Sequence, residues 1–142
     1  MKKYNVHKII RNAMAVTTLG FYALPSAQAS ECIYAPEVAG IIASSLRFPD
    51  ATVNAKKSVA FKSDNFKNLY FIAAEVNSES FGSNIGVWTS NSLETGMIFS
   101  ANTDAAITTV FPDGQKAGPK IKSSDHGYND VVACFNKLFK LT

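Results

Sequence analysis

Two cysteines constrain this chain more than any other feature. Cys32 and Cys134 are its only two, so a single intramolecular pairing is possible. Joined, they close a loop of about 100 residues, for which the chain-entropy model gives roughly 4–5 kcal/mol as an upper figure. Pairing needs an oxidising compartment, and the N-terminus points to one. Lys2, Lys3, Lys8 and Arg11 form a positive head, and Ala13–Leu24 is apolar except for Thr17, Thr18 and Gly20. Pro25-Ser26 breaks that run, and Ala27-Gln28-Ala29 supplies the small-x-small pattern of a cleavage site. A spanning helix needs about 20 apolar residues, more than this run provides, and Glu31 directly before Cys32 does not suit a lipid-attachment site. The reading is a cleavable secretion signal over 1–29 and a single small α+β domain over 30–142, periplasmic or secreted, with no stable membrane anchor.

Removing the signal changes the charge argument. Four of the fourteen Lys and Arg residues go with it, leaving ten basic against eleven acidic groups and a net charge of −1. Nucleic-acid binding calls for a basic patch or stripe. The one local cluster, Lys56-Lys57 with Lys62 and Lys67, reads as a solvated strand edge whose lysines discourage sheet-to-sheet pairing. No nucleic acid is expected as a partner.

The element pattern is helix, strands, helix. Pro36-Glu37 opens a helix whose face is Val38, Ile41, Ile42, Ser45 and Leu46, and Phe48-Pro49 ends it, because a residue before proline leaves helical geometry. Strands follow near 57–63, over Leu69–Val76, around Ile85–Ser90 and over Met97–Ala101. Leu69–Val76 is apolar on both alternations, so it belongs at the centre of a sheet with both faces covered. Short connections favour an antiparallel meander of four or five strands. Asp104–Val110 reads equally as a short helix or a strand, and Asp113–Lys122 as a surface loop. The last helix is expected to be capped by Ser123 or Ser124 with Asp125 in its first turn. Its apolar stripe runs through Tyr128, Val131, Val132, Phe135, Leu138 and Phe139. The Cys32–Cys134 bridge would then tie the two terminal helices together.

The chemical inventory is thin. His126 is the only histidine outside the signal. Bonded cysteines leave neither a thiolate nucleophile nor a zinc site of Cys and His, and no serine elbow, phosphate loop or dinucleotide fingerprint occurs. Asp125-His126 is the one catalytic-looking pair, but adjacent helical residues face different ways. Acid pairs such as Glu75/Glu79 and Asp125/Asp130 have no distinguishing spacing. No catalytic residue, metal or cofactor is expected. Trp88, the only tryptophan, reads either as a core residue beneath the 102–122 segment or as an exposed anchor for a partner. With Phe81 and Asn91 on flanking turns it defines a candidate partner-binding set. Small size, export, one disulfide and no catalytic set are traits of periplasmic inhibitors and immunity proteins, without a shared motif. The expectation is a non-enzymatic binding protein, monomer or homodimer, whose partner is another protein, such as a secreted hydrolase or toxin. Alternatives are a carrier or sensor of a small apolar ligand lined by Leu69–Val76, and an envelope structural or self-associating component that pairs through that strand.

Overall fold

The computed structural model describes residues 31–139; the expected signal, 1–29, lies outside the described residues. Eight elements follow in order: β1 (Ile33–Tyr34), α1 (Pro36–Ala43), β2 (Thr52–Lys62), β3 (Tyr70–Ser78), β4 (Gly82–Ser90), β5 (Ile98–Ser100), α2 (Thr103–Thr108) and α3 (Tyr128–Leu138). The five strands make one antiparallel sheet in chain order, β1-β2-β3-β4-β5. This is the α+β meander that the short connections implied.

β3 is the central strand, and its double alternation sorts the core into two layers. Leu69, Phe71 and Ala73 join Val59, Phe61 and Val87 beneath α3, which contributes Val131, Cys134 and Phe135. Ile72, Ala74 and Val76 join Ala60, Trp88 and Ile98 on the other face, beneath Val38 and Ile42 of α1 and Ala105 of α2. Cys32 and Cys134 are bonded, with Cα atoms 5.7 Å apart across 102 positions of sequence. The bridge does not run helix to helix. Cys32 precedes β1, so the bond ties the edge of the sheet to α3, while α1 packs on the opposite face.

Several boundaries depart from the sequence reading. β2 begins at Thr52 because of a bulge: Val53 pairs with Val76 and Ser58 with Ala74, so 54–57 stand opposite Glu75 alone. The polar Asn54-Ala55-Lys56-Lys57 run disguised the first half of the strand. β1 pairs only with Val59 and Ala60, which leaves the bulged half of β2 as an edge carrying Lys56 and Lys57. α1 stops at Ala43, and Leu46 leaves its expected helical face to bridge Thr109.

The ambiguous 104–110 segment is both things in succession. Asn102 caps α2 by accepting from Ala105 N at 2.9 Å, and the backbone turns extended at Thr109. The 113–122 loop is not wholly superficial, since Ile121 is buried in the α3-side core. α3 is entered through Gly127 at φ 104°, a left-handed conformation that favours glycine. Asp130 Oδ2 accepts from Gly127 N at 3.1 Å. Neither Ser123 nor Ser124 caps the helix, and Asp125 instead accepts from Lys122 N at 2.6 Å.

Candidate binding surface

β4 carries the candidate partner set Phe81, Trp88 and Asn91 at or near its ends, and the fold separates the three. Trp88 is wholly buried. The partner-anchor reading of Trp88 is therefore corrected: its indole lies over Gly86 in the layer beneath α1 and α2. Its Nε1 donates to Thr109 Oγ1 at 3.2 Å, and Thr109 Oγ1 in turn donates to Ala105 O at 2.7 Å. Buried indole N–H groups usually find such a partner.

Phe81 is at the tip of the β3–β4 hairpin, where Ser78 pairs with Gly82. Glu79-Ser80-Phe81 make a three-residue loop closed by Gly82 at φ 74°, a glycine-bulge turn. Phe81 meets Phe48 edge to face, with ring centroids 5.5 Å apart. The contact is fastened by Asp50, whose Oδ2 accepts from Ser78 Oγ at 2.6 Å, Ser80 Oγ at 3.1 Å and Ser80 N at 3.3 Å. The Ser78 hydroxyl foremost holds the Asp50 carboxyl below its ordinary pKa; burial opposes it, and the Ser80 hydroxyl and N–H add to the lowering. Beside the pair is a shallow polar recess of about 380 Å³ lined by Asp50, Thr52, Asn77, Ser78, Glu79, Gly82 and Ser83.

The chain just before Phe48 runs alongside the end of α2. Arg47 N donates to Thr108 O at 2.8 Å and Val110 N to Ser45 O at 3.0 Å, on either side of the Leu46–Thr109 bridge. This short ladder brings the segment carrying Arg47 and Phe48 alongside the one carrying Ile107 and Val110. Phe48, Ile107 and Val110 are 37%, 51% and 61% exposed. The Arg47 Nε donates to Thr109 O, and Arg47 makes no ion pair among the described residues. Sequence reading missed Arg47, Phe48, Ile107 and Val110. Phe48-Pro49 carried a helix-stop signal and nothing more, and the ladder joins segments about 60 positions apart.

Asn91 is at the other end of β4. Its Oδ1 accepts from Met97 N at 3.1 Å, and it lines a separate apolar cavity.

Asp125 and His126 do not form a pair. His126 Nδ1 is 3.5 Å from Asp64 Oδ2 and its Nε2 is 3.7 Å from Asp130 Oδ2, while the ring leans on Phe61. The ring and both carboxylates are substantially exposed. Of the acid pair Glu75/Glu79, Glu75 is buried and held by Lys57 Nζ at 3.1 Å and Ser83 Oγ at 2.9 Å, whereas Glu79 is exposed at the hairpin tip. Lys57 reaches Glu75 because the bulge re-aims it. Among the described residues no group of three or more His, Cys, Asp or Glu side chains could hold a metal ion, and no helix is long and apolar enough to cross a membrane.

No family model, curated protein or solved structure matches this chain.

Proposed function

We propose that this chain is an exported, non-enzymatic protein that binds another protein through the hairpin end of its sheet. It would act as an inhibitor or immunity protein acts on a secreted hydrolase or toxin. One observation carries the reading: an exposed Arg47 without an ion-pair partner among the described residues, on a segment that also carries the exposed Phe48 and runs alongside the segment carrying the exposed Ile107 and Val110, with Phe81 against Phe48. Arginine and aromatic side chains are the residue types that dominate binding energy at interfaces. Clustered apolar exposure of this kind marks interaction sites.

The patch is held in shape before any partner arrives. Asp50 ties the Phe48 loop to the hairpin, and Trp88 supports the 108–110 segment from beneath through Thr109. Ordering costs on binding are lower for such a surface. Its complement is a protein segment with a carboxylate flanked by apolar side chains, the carboxylate meeting Arg47 and the apolar groups covering Phe48 and Ile107.

The self-association alternative drew on the doubly apolar β3, and helices of the same chain account for both of its faces. That observation therefore gives no support to a second copy.

The test is affinity capture from envelope and culture fractions with the wild-type protein and with Arg47→Glu. A partner held by wild type should be lost or weakened at least about tenfold, roughly 1.4 kcal/mol, in the variant. An inhibitor would also abolish that partner's hydrolytic activity in a wild-type-dependent way. Equal capture by both proteins would refute the assignment of the surface.

A further inference from the structure

At the end of the sheet away from the hairpin, three loops converge on a cavity of about 340 Å³. Phe66 and Leu69 come from the β2–β3 connection, Met97 and Phe99 from the β4–β5 connection and β5, and Pro119 from the loop before α3. Its volume lies within the range of about 300–1,000 Å³ typical of small-molecule sites, and its apolar walls with a few polar groups have their usual composition. Lys67 is the one charged residue in the lining, where it joins Asn68 and Asn91. Lys67 is exposed and has no ion pair among the described residues.

The backbone around the cavity is unusual in two places. Asn68 and Gly118, both in the lining, have φ of 55° and 59°. Left-handed backbone is uncommon for a residue other than glycine. At Gly118 a Cβ would stand 2.4 Å from Phe99 Cζ, so the Phe99 ring lies directly on bare main chain. A side chain there would have to push Phe99 aside, away from its place in the wall. Met97 is 68% exposed although its N–H is held by Asn91, which leaves a flexible thioether at the rim, able to adapt to a ligand.

We propose that this cavity binds a small single-chain amphiphile with an anionic head, a carboxylate meeting Lys67 and an apolar chain lying against Phe66, Leu69 and Phe99. Charge decides the occupant: the lining has one cation and no acid. The same end does not present the uniformly basic face that draws a protein to an anionic bilayer, because the β2–β3 and β4–β5 connections that line the cavity also carry Asp64 and Glu94. The site is also distinct from the protein-binding patch. The nine residues of β4, roughly 30 Å at the rise of a strand, separate Phe81 from Asn91. The small-ligand alternative thus relocates. The Leu69–Val76 strand that would line such a pocket lies in packed core, and only its Leu69 reaches the cavity.

The experiment is a titration of the purified secreted protein, freed of the 1–29 signal, with sodium dodecanoate below its micelle concentration, followed by the Met97 methyl resonance. A second titration uses a neutral dodecyl glycoside. Wild type should show saturable displacement of the Met97 signal by dodecanoate. Lys67→Glu should weaken dodecanoate about tenfold and leave the neutral amphiphile unchanged. Met97→Asp, monitored by calorimetry, should weaken both. Both replaced side chains are exposed, so these variants are expected to fold. Absence of saturable binding, or equal dodecanoate affinity in wild type and Lys67→Glu, would overturn the proposal.

Discussion

Replacing Gly86 by alanine adds one methyl group and should be among the costliest small changes available to this fold. A Cβ at position 86 would stand 2.1, 2.6 and 2.8 Å from Cη2, Cζ3 and Cζ2 of Trp88, all well inside van der Waals contact. The indole cannot simply swing away. It is completely buried, packed with Ile72, Ala74 and Ile98, and held at Nε1 by Thr109. Overpacking of a well-packed core costs about 1–3 kcal/mol, and loss of the indole hydrogen bond adds about 1 kcal/mol. The expected total is about 2–4 kcal/mol. Trp88, the only tryptophan, reports unfolding by its own fluorescence. With a urea slope of about 2 kcal/mol/M, the midpoint should fall by about 1–2 M.

A double-mutant cycle makes the cause explicit. In Trp88→Phe the three crowded ring atoms are gone, so adding Gly86→Ala should cost less than about 1 kcal/mol by far-ultraviolet circular dichroism. The coupling between the two sites should exceed about 1 kcal/mol, as expected for residues in contact. A Gly86→Ala protein within about 0.5 kcal/mol of wild type, or additive effects across the cycle, would show that the indole does not lie over Gly86. The account of Trp88 as the support of the 108–110 segment would fall with it.

Three further outcomes follow from the same geometry. Cys32 is exposed and Cys134 buried, so Cys32→Ser removes the bond with little change in packing; it should cost about 3–5 kcal/mol, and an unchanged denaturation midpoint would contradict the closed loop. Asp50 has a folded-state pKa below its ordinary 3.8, so its contribution is present above that value and lost as pH falls through the lower, folded one. Acid titration of stability should show this loss in wild type and a flatter profile in Asp50→Asn, and identical profiles would refute the role of the Ser78 and Ser80 hydrogen bonds. Glu75→Gln removes a buried charge opposite a partly exposed Lys57. It should cost about 1–2 kcal/mol in urea denaturation, below the figure for a fully buried pair, and a stabilised variant would contradict the pairing.

The parts of the fold legible in the sequence are those written in local pattern. The two alternations of Leu69–Val76 place β3 at the centre, and its buried apolar residues lie on the faces their register implies. The placement of Gly86 and Trp88 on one face of their strand likewise follows from period two. What local pattern hid has physical causes. The bulge at 54–57 breaks the alternation of β2, so its first half carries no strand signal. The α3 start is displaced because Asp125 serves the turn at Lys122 and leaves the cap to Gly127. Ile121 stands alone among polar neighbours, and its burial depends on the α3-side core.

The candidate surface was less legible than the fold. Phe81 stands out in the sequence as an aromatic on a turn, whereas its partner Phe48 carries a helix-stop signal that masks any other role. Arg47 reaches Thr108 and Thr109 through long-range pairing, which no spacing rule in the sequence announces. Residue type and strand register leave Trp88 open between core and surface, and the cover supplied by α1, α2 and the Thr109 hydroxyl decides for the core.

The function proposed here is tested most directly by photocrosslinking in the producing cells. A photoreactive residue is placed either at Ile107, within the exposed patch, or at Asn136, on the outer side of α3. Crosslinking of one protein species from position 107, with none from 136, is the expected result. No crosslinked species from 107, or the same species from both positions, would mean that the Arg47–Phe48 surface is not where this protein meets a partner.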